Sequence, residues 1–272
     1  MKTRIIAAVA LLPLLLIIVL AAPKVLTAVL VGVLAAIAAF ELLAGTGHIK
    51  QAGLIICCAA MAILVALHSY FNVDAVVAKL ALVIFWVLIF VEIMASGMTV
   101  PFEKAAICFV AGILVPYFLS ALIRIHIGEY GRWFILVPFI LAFLSDTGAY
   151  FAGRAFGKHQ LAPKISPKKT IEGAFGGVAG AILGMLLFCV ILRSFFSFEV
   201  NYGYALIYGI IGSAASVFGD LCFSVIKRQA GIKDYGNLIP GHGGVLDRFD
   251  SMVVVAPLCE VLLIIFPLAV KI

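Results

Sequence analysis

The chemistry open to this chain centres on three acidic residues, Asp220, Asp247 and Asp250. Asp247 and Asp250 stand three apart where a helix is expected to begin, so both carboxylates can face one direction, and Asp250 could also cap that helix with Ser251. Asp220 precedes Lys227 by seven residues, roughly 10 Å along a helix at about 1.5 Å per residue. Together the three could hold a hard divalent cation such as magnesium, which favours a few carboxylates with substrate phosphates and water. Cations surround them. Lys227, Arg228 and Lys233 follow Asp220, His242 and Arg248 flank Asp247, and Gly241, Gly243 and Gly244 permit tight turns close to a ligand. Carboxylates for a metal and cations for a polyphosphate are the parts of a phosphoryl or nucleotidyl transfer site. The plain alternative is a helix-entry loop that carries a solvated ion network.

Upstream segments add to the same chemistry. Ser213, Ser216, Asp220, Ser224 and Lys227 fall on one helical stripe, which marks a reaction site, an ion path or a polar packing seam. Asp146, Tyr150 and Arg154 repeat the pattern at i, i+4 and i+8, and Asp146 is either a further metal candidate or a structural partner. In "ISPKKTIEG", Ser166 and Pro167 are expected to break the chain before Lys168, Lys169 and Thr170 lead into a helix. Two lysines at a helix N-terminus suit phosphate, although adjacent lysines also serve as topology signals. "GRAFGKH" is not a phosphate loop: three residues rather than four separate Gly153 from Gly157, and His159 stands where a Ser or Thr would hold magnesium.

The elements that carry these residues must cross a membrane. The chain has 272 residues, is 65% hydrophobic and 12% charged, and its mean hydropathy is +1.25, which excludes an ordinary soluble domain. The expected fold is all-α, a polytopic transmembrane helical bundle of about nine spans. These lie roughly at 4–22, 25–43, 53–70, 75–95, 104–122, 132–152, 172–192, 203–226 and 250–268. Lys2 and Arg4 before an apolar run resemble a signal peptide, but another apolar segment follows at once, so retention as a span is expected. Most of the 19 basic residues then fall on the face shared by the N-terminus and the connections that carry the motifs, which makes that face, and the N-terminus, cytoplasmic. Residues 1–131, with Glu41 and Glu92 near span ends, read as a five-span scaffold without a chemistry-bearing cluster. Residues 132–272 read as a four-span catalytic region with two cytoplasmic loops. Gly173, Gly176, Gly177, Gly180 and Gly184 predict a close helix contact within it. The six cysteines all lie inside spans, so neither a disulfide framework nor a zinc site is expected.

The segment "SVIKRQAGIKDYGNLIPGHGGVLDRFD", from Ser224 to Asp250, resembles the signature of the phosphatidate cytidylyltransferases, the CDP-diacylglycerol synthases. "SDTGAYFAGRAFGKH" and "ISPKKTIEGAFGG" are similar to that family too, while the first half matches only as apolar spans. The resemblance implies a magnesium-dependent reaction of CTP with phosphatidic acid to give CDP-diacylglycerol and pyrophosphate. It makes Asp220 and Asp247 metal-binding carboxylates, with a second, monovalent cation such as potassium also in view, and ranks Asp250 and Asp146 next. It gives Asp220, Asp247, Lys227 and Arg248 the catalytic roles. Substrate contacts would fall to Ser166, Lys168, Lys169, Thr170, Ser224, Arg228, Lys233 and His242. Family members are usually homodimers in the inner or plasma membrane, with membrane lipid as substrate and no nucleic acid partner. Because the lipid phosphate is already anionic, direct displacement at the α-phosphate is expected, without a protein nucleophile. A CTP-dependent lipid-alcohol kinase and a secondary transporter remain as alternatives, whereas the paired-aspartate pattern of a CDP-alcohol phosphotransferase is absent.

Overall fold

The computed structural model describes residues 13, 15–97, 100–239, 241 and 243–271. Seven of its helical segments are long and apolar enough to cross a membrane: Lys24–Gly45, Ala52–Phe71, Ala75–Ala95, Phe102–Ile127, Gly131–Phe156, Ile171–Phe196 and Tyr202–Gln229. The chain is therefore a multi-pass helical membrane protein. The first expected span falls mostly outside the described residues; of it, residues 15–20 are helical. The last differs from expectation. Residues 250 and 251 form a turn, and the helix that follows covers only Met252–Ile265, 14 residues, with Pro257 inside it.

The chain divides into two compact units, Met1–Arg132 with Lys227–Phe249, and Trp133–Ile226 with Asp250–Ile272. The signature segment thus groups largely with the first half of the chain.

In the first unit, α1 (Lys24–Phe40) continues into a π turn over Glu41–Gly45, and α2 (Ala52–Phe71) packs along it. The next helix, α3 (Ala75–Ala95), buries only Phe85 and Ile89, as expected for a span whose other faces meet lipid. The following span is broken into α4 (Phe102–Phe109), a π turn at Val110–Leu114, α5 (Val115–Leu119) and α6 (Ala121–Ile127). Near its end, Arg124 donates to the Ser69 hydroxyl and the Tyr117 carbonyl and stacks 4.4 Å from the Tyr117 ring centroid. His126 shares a 3.0 Å hydrogen bond with Thr27.

The second unit begins within α7 (Gly131–Phe134), at Trp133; α8 (Leu136–Phe156) follows, and the hairpin β1 (Gln160–Ala162) and β2 (Ser166–Thr170) leads into α9 (Ile171–Phe196). The partner of the glycine stripe is α8. A Cβ at Gly180 would lie 3.2 Å from the Cα of Gly148 and 2.5 Å from the Leu144 carbonyl, and one at Gly176 would overlap the Cβ of Ala152. Small residues are what lets two helices meet this closely in lipid, where packing rather than water exclusion drives association. After β3 (Phe198–Val200) comes α10 (Tyr202–Gln229), a continuous helix whose last residues, from Lys227, belong to the first unit. The short α11 (Leu246–Phe249), α12 (Met252–Ile265) and β4 (Ala269–Lys271) complete the chain. The chain is mostly helical as expected, with two short two-stranded antiparallel sheets added, the hairpin β1 with β2 and the long-range pair β3 with β4. Each pairs extended segments outside the helices, where backbone groups need partners of their own. The Tyr208 hydroxyl donates to the Phe266 carbonyl at 3.1 Å and anchors the end of α12.

Candidate active site

Four of the sequence-predicted residues form two lysine–carboxylate ion pairs, one in each unit. In the second unit Lys169, on β2, forms an ion pair with Asp220, on α10, and both side chains are 25% exposed. The sequence builds this arrangement locally. Thr170 caps α9, its hydroxyl accepting from the Gly173 amide at 3.0 Å. Glu172, in the first turn, accepts from the backbone amides of Lys158 and His159 at 3.1 and 3.2 Å and from the His159 ring at 2.6 Å. The hairpin is therefore pinned at both ends to the start of α9. Ser166 and Pro167 do not break the chain as expected but lie in β2. Strand alternation then leaves Lys168 exposed and turns Lys169 to Asp220, while Ser166 is half-buried.

The helical stripe on α10 divides into two parts. Deeper in the bundle Ser213 shares a 2.8 Å hydrogen bond with Ser145 of α8, a packing contact, and Ser216 is buried without a hydrogen-bond partner among the described residues. Ser224 is buried as well. Asp220 lies between these serines. Next to it, Gly219 brings α10 against the Asp250–Ser251 turn: a Cβ there would be 3.0 Å from the Asp250 carbonyl oxygen. Asp250 is buried, and its carboxylate accepts from the Ser251 amide at 2.8 Å; no side chain caps α12 through Ser251. Asp146 is exposed on α8, and Arg154 donates to the Tyr150 hydroxyl at 3.2 Å.

In the first unit Lys227 and Asp247 form a second pair at 2.8 Å, far more enclosed, with side chains 10% and 1% exposed. Asp247 accepts two further bonds on its other oxygen, from the amides of Tyr235 at 2.8 Å and Gly244 at 2.9 Å. A carboxylate removed from water in this way persists because an opposite charge and two backbone donors replace its hydration. Lys227 also lies 5.3 Å from the Tyr235 ring centroid. The loop folds back by a bridge between Ile239 and Gly243, where Gly243 takes φ of +91°, a conformation L side chains rarely adopt. Arg228 donates to the Ile232 carbonyl at 3.3 Å, and Arg228, Lys233 and Arg248 are exposed. His242 lies outside the described residues.

From sequence, Glu41 was noted without a role and Tyr235 was not singled out. Glu41 is buried at the end of α1 and accepts from the Val245 and Leu246 amides at 2.9 and 2.7 Å. An acid inside an apolar span was the available signal. Tyr235 acts through its backbone amide, which residue type does not encode. Among the described residues no group of three or more His, Cys, Asp or Glu side chains lies close enough to hold a metal ion.

A profile of the cytidylyltransferase family matches residues 2–266. The chain belongs to the cytidylyltransferase family. It is 47% identical over 134 residues to a protein of Staphylococcus epidermidis named phosphatidate cytidylyltransferase, covering 49% of this chain and 50% of the relative. A protein of the same name from Haemophilus influenzae is 41% identical over 150 residues, 53% of this chain and 52% of the relative. In these matches the chain spans about half the length of the curated relatives. A third, from Bacillus subtilis, is 33% identical over 209 residues, 76% of each chain. The cytidylyltransferase match runs through both ionic clusters and through α1.

Proposed function

We propose that the protein transfers the cytidylyl group of CTP to phosphatidic acid, giving CDP-diacylglycerol and pyrophosphate for phospholipid synthesis. The observation that carries this reading is the family match across residues 2–266, together with relatives named phosphatidate cytidylyltransferase. The two lysine–carboxylate pairs, Lys169 with Asp220 and Lys227 with Asp247, are of the kinds of side chain such a transfer uses.

In the proposed reaction a phosphate oxygen of phosphatidate attacks the α-phosphorus of CTP. The new bond joins the two phosphates, the bond between the α-phosphorus and the bridging oxygen to the β-phosphate breaks, and pyrophosphate leaves. No protein nucleophile takes part, so the chain's task is to align two anions and offset their repulsion. Lys168, Lys169, Lys227, Arg228, Lys233 and Arg248 supply cationic side chains, and Ser166, Thr170, Ser224 and His242 complete the polar contacts. Lys169 holds a carboxylate at a half-open position, where a triphosphate oxygen can compete for the ammonium.

The donor set suits magnesium, which takes few protein ligands and keeps oxygens from substrate phosphates and water. Asp220, a quarter exposed, has the hard oxygens and the solvent access such a ligand needs. Asp220 would be the carboxylate open to the ion, with Asp250 and Asp146 as further candidates and potassium as a second cation; Asp247, 1% exposed and already bonded to Lys227 and two backbone amides, would have to give up these partners to serve as a ligand. Bound there, magnesium would neutralise charge on the transferring phosphates. We place the protein as a homodimer in the plasma membrane, with the N-terminus and the ionic clusters on the cytoplasmic side, where CTP is found. The excess of basic residues in the connections supports that orientation.

The test is purified protein with labelled CTP and phosphatidate, with and without magnesium. CDP-diacylglycerol and pyrophosphate in equal amounts, lost on chelation, are expected. Release of CDP instead would make it a lipid-alcohol kinase, and neither product would refute the reading.

A further inference from the structure

Glu41 sits in the half of the chain that carries no motif, yet the structure ties it to the signature loop. Glu41 is 3% exposed, and its carboxyl group accepts from the amides of Val245 and Leu246. Those amides open α11, the short helix that carries Asp247, and have no partner within that helix. Two loop glycines leave the space that the carboxyl occupies. A Cβ at Gly244 would lie 2.5 Å from both Glu41 carboxyl oxygens, and one at Gly236 would lie 2.8 Å from Oε1. One turn further along the π turn, the backbone of Gly45 meets the carbonyl of Tyr235, leaving no room for a side chain. Tyr235 and Gly244 are the residues whose amides hold Asp247. The end of α1 and Asp247 thus grip the same loop. The π turn at Glu41–Gly45 presents both the acid and the glycine to it, and such turns recur at functional positions.

We propose that Glu41 is a positioning residue for cytidylyl transfer. Without touching substrate, it sets the 235–246 backbone so that Asp247 and Lys227 are held in the reactive arrangement. This rests on the activity proposed above. A misplaced loop lowers the rate of the aligned step more than it weakens binding of either substrate.

Glu41→Gln tests it, because the amide keeps the shape but turns a donor toward one of the two backbone donors. In purified enzyme, kcat per folded molecule should fall by about tenfold or more while KM for phosphatidate stays within about twofold. Hydrogen exchange across 235–246 should quicken in parallel. A purely structural role would reduce the yield of folded protein and leave kcat per folded molecule at the wild-type value, which overturns the proposal. If Glu41→Gln does not fold, Gly236→Ala presses a methyl group on the same carboxyl oxygen with Glu41 in place; a several-fold lower kcat is expected, and wild-type kcat again overturns the proposal. Wild-type enzyme is assayed alongside. If it makes no CDP-diacylglycerol the proposed activity and this proposal fall together, whereas active wild type with an equally active Glu41→Gln removes this proposal alone.

Discussion

Replacing Asp247 by Asn removes one atom's capacity to accept, and the surroundings of that atom set the consequence. One oxygen takes the Lys227 ammonium and the other takes the Tyr235 and Gly244 amides, on a side chain 1% exposed. The Asn amide offers one acceptor and one NH2 group. Whichever way it turns, a donor faces either the ammonium or two backbone N–H groups, and Lys227 loses its counter-charge. Breaking a buried pair from one side costs about 3–5 kcal/mol. The loop can open without unfolding the spans, so the loss should appear there first. At about 1.4 kcal/mol per tenfold, amides between 232 and 247 should exchange roughly a hundredfold to a few thousandfold faster in Asp247→Asn. Hydrogen exchange read by mass spectrometry in detergent measures this. The double variant Lys227→Met/Asp247→Asn should recover much of the protection, because it leaves no uncompensated charge, yet remain inactive. Exchange within about threefold of wild type in Asp247→Asn would refute the claim that this carboxylate organises the loop.

Asp220→Asn disturbs a pair that is a quarter exposed, so it should cost no more than about 1 kcal/mol of stability while abolishing turnover. Near-normal activity in a folded variant would remove Asp220 from the site. Lys169→Met should raise KM for CTP by about tenfold or more and weaken its dependence on salt, measured in initial-rate assays at two ionic strengths. An unchanged KM would leave Lys169 as a partner of Asp220 only. Gly176→Leu forces side-chain volume where α8 and α9 are in backbone contact and should destabilise the protein by about 1–3 kcal/mol, read as a lowered Tm in detergent. Glu172→Gln should loosen the hairpin and open the chain to protease between Lys158 and Lys168, because it weakens the hydrogen bonds that the carboxylate makes to Lys158 and His159.

Apolar runs about twenty residues long determined that this chain crosses a membrane, since lipid leaves the backbone few alternatives to a helix. The spacing of Asp220, Lys227, Asp247 and the neighbouring cations singled out the segment on which the proposed phosphate chemistry rests, because charge is costly in lipid. The glycine run on α9 announced a close helix contact, although only the fold named α8 as its partner. Other features depended on long-range placement. Lys169 was legible as a cation but not as the partner of Asp220, because strand alternation in a short hairpin decides which of two adjacent lysines turns inward. The last span was read too long because apolar composition continues through residues 250 to 268, while a turn and a β-pairing interrupt the helix. Glu41 was seen and left without a role: its partners are backbone amides about two hundred residues away, and an amide has the same identity in every residue but proline. Residue types and local periodicity therefore determined that the chain is built of apolar membrane helices and which side chains are candidates for the site. Tertiary structure alone decided which carboxylate meets which donor, because hydrogen bonds are set by distance in space and the chain's order does not record it.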